Sequence, residues 1–113
     1  MTQYISSITK DMMLNSITPT HISLHSGDPS ESGLNNEISS THYTRQPCVF
    51  NQSLNGERVL NANVDITLSQ GDSVNYIGYW NNSTFLMSES IQPILFTAVG
   101  VLTINQLSTV LKI

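Results

Sequence analysis

Apolar and polar residues follow two different periods along the chain, and the change from one to the other divides it. In residues 4–16, Tyr4, Ile5, Ile8, Met12 and Met13 recur near the i, i+3/i+4, i+7/i+8 spacing of an amphipathic helix. Asn15 and Ser16 supply a stop. Thr18-Pro19 closes the segment, because a residue before proline is pushed out of the α region. The apolar stripe is too narrow to form a core alone. It is therefore expected on the edge of a sheet or on a neighbouring copy, with Met12 and Met13 as candidate interface residues.

From Thr20 onward the period is two. Ile22 and Leu24 alternate with polar neighbours and run into a Gly27-Asp28-Pro29 turn, where Gly tolerates positive φ, Asp bonds its own backbone and Pro presets φ. A loop rich in Ser, Gly and Asn follows. A second strand is predicted from Tyr43-Thr44-Arg45 to Gln52, with Pro47 marking an edge or a bulge. Asn55-Gly56 is the strongest hairpin signal in the chain and pairs that strand with residues 58–69, where Leu60, Ala62, Val64, Ile66 and Leu68 alternate with polar residues.

After a turn at Gln70-Gly71-Asp72, residues 73–80 read as a strand. Val74, Tyr76, Gly78 and Trp80 share one face, and Ile77 and Tyr79 take the other. Asn81-Asn82-Ser83 turns into residues 84–89, Pro93 breaks the run, and residues 94–98, 99–104 and 107–113 complete the chain. Short strands with turn residues between them predict a mainly-β protein: an antiparallel β-sandwich, jelly-roll-like, with one short N-terminal helix. A single β-sandwich domain is expected over residues 1–113, with residues 1–17 as its helical segment.

Composition narrows the function classes. Charged residues make up 11% of the 113, against a usual level of ~25%. Neutral polar residues fill the gap, which leaves little repulsion between copies and favours self-association. The basic residues Lys10, Arg45, Arg58 and Lys112 are scattered and the net charge is -4. No groove of phosphate contacts follows from them, so no nucleic-acid partner is expected. There is no apolar run of ~18 residues and no basic-then-apolar leader, so neither a membrane partner nor secretion is expected. The single Cys48 permits no intrachain disulfide and is expected to be a buried, inert thiol.

Candidate chemistry is sparse. His21 and His25 lie four apart, on one face of a strand, near Asp28, yet no third strong ligand has a fixed spacing, so no metal is expected. His25 is expected instead to donate a hydrogen bond that fixes the turn formed with Asp28 and Pro29. The loop from Asp28 has Pro29 and Ser39 at the second and last positions of a calcium loop, where the last must be a bidentate Glu. No nucleophile elbow, carboxylate pair or phosphate cradle is present, which points away from an enzyme and from any cofactor. Tyr76, Tyr79 and Trp80 form the aromatic cluster, offering a core face, an interface or a platform for sugar rings. Glu37 and Arg45, rare charges at the end of the loop, are expected to pair and pin the loop's return to the sheet.

The stretch L-H-S-G-D-P-S-E-S-G-L-N-N-E-I-S-S-T-H-Y-T-R resembles the signature L-H-T-x-D-P-x-x-x-G-x-N-E-V-x-G-x-x-Y-x-R of a family of small virion structural proteins of tailed bacteriophages. The matching positions are Leu24, His25, Asp28, Pro29, Gly33, Asn36, Glu37, Tyr43 and Arg45. A weaker likeness continues through Phe50, the strand around Ile66 and V-N-Y-I-G-Y-W, and covers most of the chain after about Thr18. Ser39-Ser40 stands where the family has a glycine pair, and Asn81-Asn82-Ser83 where it has a glycine-rich hairpin. The resemblance implies a non-enzymatic virion component made in the bacterial host cytoplasm. Its partners would be other virion proteins, the major capsid protein first. A capsid decoration (cement) protein acting as a homo-oligomer is the leading expectation. A tail-fibre or baseplate component, binding host glycans through Tyr79 or Trp80, is the alternative.

Overall fold

The computed structural model describes residues 5–106 and 109–112. Antiparallel strands dominate it, with one short helix. The helix α1 spans Ser7–Asn15, is N-capped by Ser6, whose Oγ accepts the Thr9 amide, and is C-capped by Ser16. Tyr4 lies outside the described residues. The strands are β1 (His21–His25), β2 (Gln46–Pro47), β3 (Glu57–Val59), β4 (Val64–Leu68), β5 (Ser73–Asn81), β6 (Thr84–Leu95), β7 (Gly100–Ile104) and β8 (Val110–Lys112). They divide into a four-stranded sheet ordered β2-β1-β5-β6 and two ladders, β3-β8 and β4-β7. Ile22, Leu24, Ile77 and Tyr79 from the sheet meet Leu60, Ile66 and Leu68 in one buried cluster. Cys48 joins it, and burial pushes its thiol up to about 11, which leaves little thiolate for reaction at neutral pH.

Several boundaries differ from those the pattern predicts. The second strand begins at Gln46, not Tyr43, because the side chains of Tyr43 and Arg45 turn inward to Glu37 and their backbone does not pair. Past β2 the chain meets this stretch through two isolated bridges, Phe50 with Leu60 and Leu54 with Glu57. The predicted strand over residues 58–69 splits, since Asn61, Ala62 and Asn63 are all exposed and the chain changes partner there, from β8 to β7. Val74 packs in the core with Ile77 and Tyr79, not on the face of Tyr76, because the β5–β6 ladder is irregular between Val74 and Tyr76. Pro93 does not end β6. It sits on the sheet's outer strand at that irregularity, where no ladder donor is needed.

Of the two places expected for the helix stripe, the sheet edge is not the one it takes. Leu14 is its buried residue, and its other inward groups are polar: Asp11 accepts from Ser53 Oγ and the Gly56 amide at 2.7 Å each, and Asn15 accepts the Ser53 amide at 2.8 Å. Arg58 closes the dock from the far side, its buried guanidinium donating to the carbonyls of Leu14 and Ile17 at the helix C-terminus and to those of Asn51 and Phe50. Positive charge is favoured at that end of a helix. With positions 11, 14 and 15 facing the body, Ile8 and Met12 are left 75% and 69% exposed, and Ile5 and Met13 are also exposed. The apolar stripe faces outward and does not lie on the sheet. The Cα radius of gyration is 15.0 Å, above the ~13 Å of a compact domain of this length.

Candidate functional site

β1 is buried on both faces, which is unusual for a sheet expected to have one face in water. Its second face carries Ser23 and His25, and opposite them on β5 stand Gly78 and Tyr76. Gly78 provides the room: a Cβ there would lie 2.4 Å from Ser23 Oγ and 3.0 Å from His25 Nε2. The loop of residues 26–45 folds over this face and hides it.

A chain of hydrogen bonds runs through the buried layer. Trp80 Nε1–H donates to Ser23 Oγ at 2.8 Å, and Ser23 Oγ lies 2.7 Å from His25 Nε2. His25 Nδ1 lies 3.0 Å from the carbonyl oxygen of Asn35, an obligate acceptor. That partner assigns the proton to Nδ1, so Nε2 accepts from the serine and the ring is neutral. Burial lowers the His25 pKa from its ordinary value, and the Asn35 bond and the charge of Glu37 only partly oppose it. Ser23 and His25 are wholly buried, so this pair is a structural link with no approach for a substrate.

At the loop's return, Arg45 donates from Nε to Glu37 Oε2 at 2.8 Å and from a terminal nitrogen to Oε1 at 2.7 Å. The Tyr43 hydroxyl donates to Glu37 Oε2 at 2.6 Å and accepts the Leu24 amide of β1 at 3.1 Å. The guanidinium carbon lies over the indole, 3.7 Å from the Trp80 ring centre, and Phe85 meets that indole edge-on. Burial pushes the Glu37 carboxyl up, but the hydrogen bonds from Arg45 and Tyr43 and the arginine's charge outweigh it and hold the group below its ordinary value. Burial first, then the bond to Glu37, raises the Tyr43 phenol.

The start of the loop is tied just as closely. Asp28 Oδ1 accepts the Ser30 amide at 2.8 Å, Asn36 Nδ2 donates to the Asp28 carbonyl at 3.1 Å, and the Ser26 amide donates to the Asn36 carbonyl at 2.9 Å. Pro29 is buried. The two ends of the loop are thereby clipped together as a compact surface loop.

The structure thus brings His25, Asp28, Pro29, Glu37 and Arg45 into one framework with Trp80. It also corrects the sugar-platform reading. Tyr79 and Trp80 are 1% and 2% exposed, the first in the core and the second between Arg45 and Phe85, so neither offers a free ring face. Tyr76 is half-buried over His25's strand position. His21 and His25 do share a face, but His21 bonds Thr20 Oγ1 and both ring nitrogens of His25 are engaged. Among the described residues no group of three His, Cys, Asp or Glu is placed to hold a metal, and no helix is long and apolar enough to cross a membrane. The sequence reasoning missed Ser23, Gly78 and Phe85. The alternation of β1 held the signal for Ser23, since it shares a face with His21 and His25.

Acid sensitivity follows from the lowered pKa values of His25 and Glu37 in this framework. His25 and Glu37 have folded pKa values below their ordinary 6.5 and 4.5. The unfolded chain therefore binds protons first as pH falls, and stability drops below about pH 6.5 and again below about pH 4.5. Urea midpoints measured from neutral pH to about pH 3 should decline in that order, with a flat profile between pH 7 and 5 excluding the neutral, buried His25.

No family model, curated protein or solved structure matches the chain.

Proposed function

We propose that this protein is a non-enzymatic virion structural component of a tailed bacteriophage and, within the particle, a capsid decoration protein that stabilises the head from outside. The observation that carries the proposal is the fate of the signature residues. Every polar one among them (His25, Asp28, Asn36, Glu37, Tyr43 and Arg45) bonds within the strand-and-loop framework itself. A sequence signature that encodes a rigid surface loop fits a protein that works by shape and burial. The outward apolar row of Ile5, Ile8, Met12 and Met13 supports the same reading, because α1 is held to the body by Asp11, Leu14, Asn15 and Arg58 in the pose that presents that row. Exposed apolar patches of this kind mark contact surfaces, here to the major capsid protein or to further copies of the chain.

A protein that binds the assembled shell and not its separated subunits stabilises the shell by mass action, ~2.7 kcal/mol per site at a hundredfold excess over Kd. Particles lacking it should release DNA at lower temperature or on osmotic shock and adsorb to cells normally. Particles that keep their DNA but fail to attach would replace the capsid assignment with one in the tail.

A further inference from the structure

The turn that receives α1 carries a reactive dipeptide. Asn55-Gly56 forms the two-residue connection between Leu54 and Glu57, whose amides and carbonyls are exchanged at 2.8 and 3.1 Å, and both turn residues have positive φ, 53° and 79°. Asn-Gly is the dipeptide in which an asparagine side chain is most easily lost, because glycine does not screen its own amide nitrogen. Here that nitrogen is not free. The Gly56 N–H donates to Asp11 Oδ1 of α1 at 2.7 Å, and the residue is buried although Asn55 is exposed.

We propose that Asn55-Gly56 is a latent deamidation site that α1 keeps closed through Asp11. In the reaction hydroxide removes the Gly56 amide proton, and the nitrogen attacks Cγ of Asn55. The new N–C bond forms as the side-chain nitrogen leaves as ammonia, giving a succinimide. Water then opens one of its two C–N bonds, yielding aspartate or isoaspartate, so the net change is water taken up and ammonia released. Asp11 opposes the first two steps. Its carboxylate holds the proton that must leave and sets a negative charge beside the developing amide anion. Ring closure also requires rotation about the Cα–C bond of Asn55, which swings the Gly56 nitrogen off the carboxylate. The Gly56 and Ser53 bonds lower the Asp11 pKa, so the acceptor stays ionised at the pH where deamidation runs.

The consequence is a one-way release. A new carboxylate at position 55 lies one residue from the amide that Asp11 holds, and isoaspartate lengthens the main chain inside a turn that admits two residues. Either product weakens the seat of α1, whose outward face the proposed function uses.

The test follows the full chain at mildly alkaline pH, folded and in concentrated urea. Amide-to-acid conversion is read on the tryptic peptide of residues 46–58, which the cleavage sites Arg45 and Arg58 release with Asn51 as an internal control. Asp11→Asn is expected to deamidate at Asn55 about tenfold faster than the folded wild type while keeping its circular dichroism, the loss of a charge-assisted bond. Ser53→Ala, which leaves the Asp11–Gly56 bond in place, should stay within about twofold of wild type, and all three chains should react equally in urea. Equal folded rates for wild type and Asp11→Asn, or a Ser53→Ala rate matching Asp11→Asn, would overturn the proposal. Should Asp11→Asn not fold, hydrogen exchange at the wild-type Gly56 amide decides. Slowing of about tenfold or more relative to the unfolded chain supports the closed site, and unslowed exchange removes it.

Discussion

Arg45→Met is expected to destabilise the protein by about 3 kcal/mol, the low end of the cost of breaking a buried ion pair on one side. The low end applies because the side chains of Arg45 and Glu37 keep 28% and 18% exposure, so water can partly solvate the stranded carboxylate. Three effects combine. Glu37 loses both arms of a bidentate pair, Trp80 loses the cation lying on its face, and the Tyr43 hydroxyl is left holding Glu37 alone. Glu37→Gln should cost less, since a neutral amide can still accept from Tyr43 and Arg45. The double variant separates the pair from its surroundings: because the partners touch at 2.7 Å, its loss should fall short of the sum of the single losses by about 1 kcal/mol or more. Chemical denaturation of the four proteins closes the cycle. Strictly additive losses would mean that the loop is held by Trp80 stacking and Tyr43, with no contribution from the ion pair.

How far the sequence disclosed this arrangement depended on whether a feature was local. The Asn55-Gly56 turn, the Asn82 turn with its φ of 51° and the end of α1 at Ser16 were all legible, because each is fixed by the conformational preferences of two or three adjacent residues. The antiparallel, mainly-β class followed from the period of two. The pairing of Glu37 with Arg45 was legible for another reason: in a chain this poor in charge, two opposite charges at one loop end have few other partners. Partner choice between strands was not. Alternation in residues 58–69 is the same whether they pair with one strand or two, so the division between β8 and β7 left no trace. The orientation of the helix was also hidden. Its apolar row fits a sheet edge or a neighbouring copy equally well, and only three-dimensional placement shows that Asp11, Leu14, Asn15 and Arg58 turn it away from the sheet. For Tyr79 and Trp80 the sequence left a core face, an interface and a sugar platform open, because alternation does not say which face is covered. The loop that buries Trp80 lies more than thirty residues earlier in the chain.

Gly33→Ala should cost about 2–4 kcal/mol, a large penalty for one methyl group on a surface loop. Two terms add. Gly33 has φ +73°, a left-handed conformation that costs a residue bearing Cβ about 1–2 kcal/mol. The new Cβ would then stand 2.3 Å from the Phe85 ring and 2.8 Å from its Cβ, inside any tolerable contact. Phe85 cannot retreat freely, since its ring meets the Trp80 indole with centres 5.1 Å apart and its tip lies over Gly78. Moving it disturbs the indole on which Arg45 rests, so the methyl group is felt at the Glu37–Arg45 pair. The backbone and steric terms can be told apart by repeating the substitution in a Phe85→Ala background. There the ring contact is gone and Gly33→Ala should cost only about 1–2 kcal/mol, the backbone term with a residual contact to Cβ. An equal penalty in both backgrounds, measured by urea unfolding, would assign the whole effect to φ and detach Gly33 from the Phe85–Trp80–Arg45 stack.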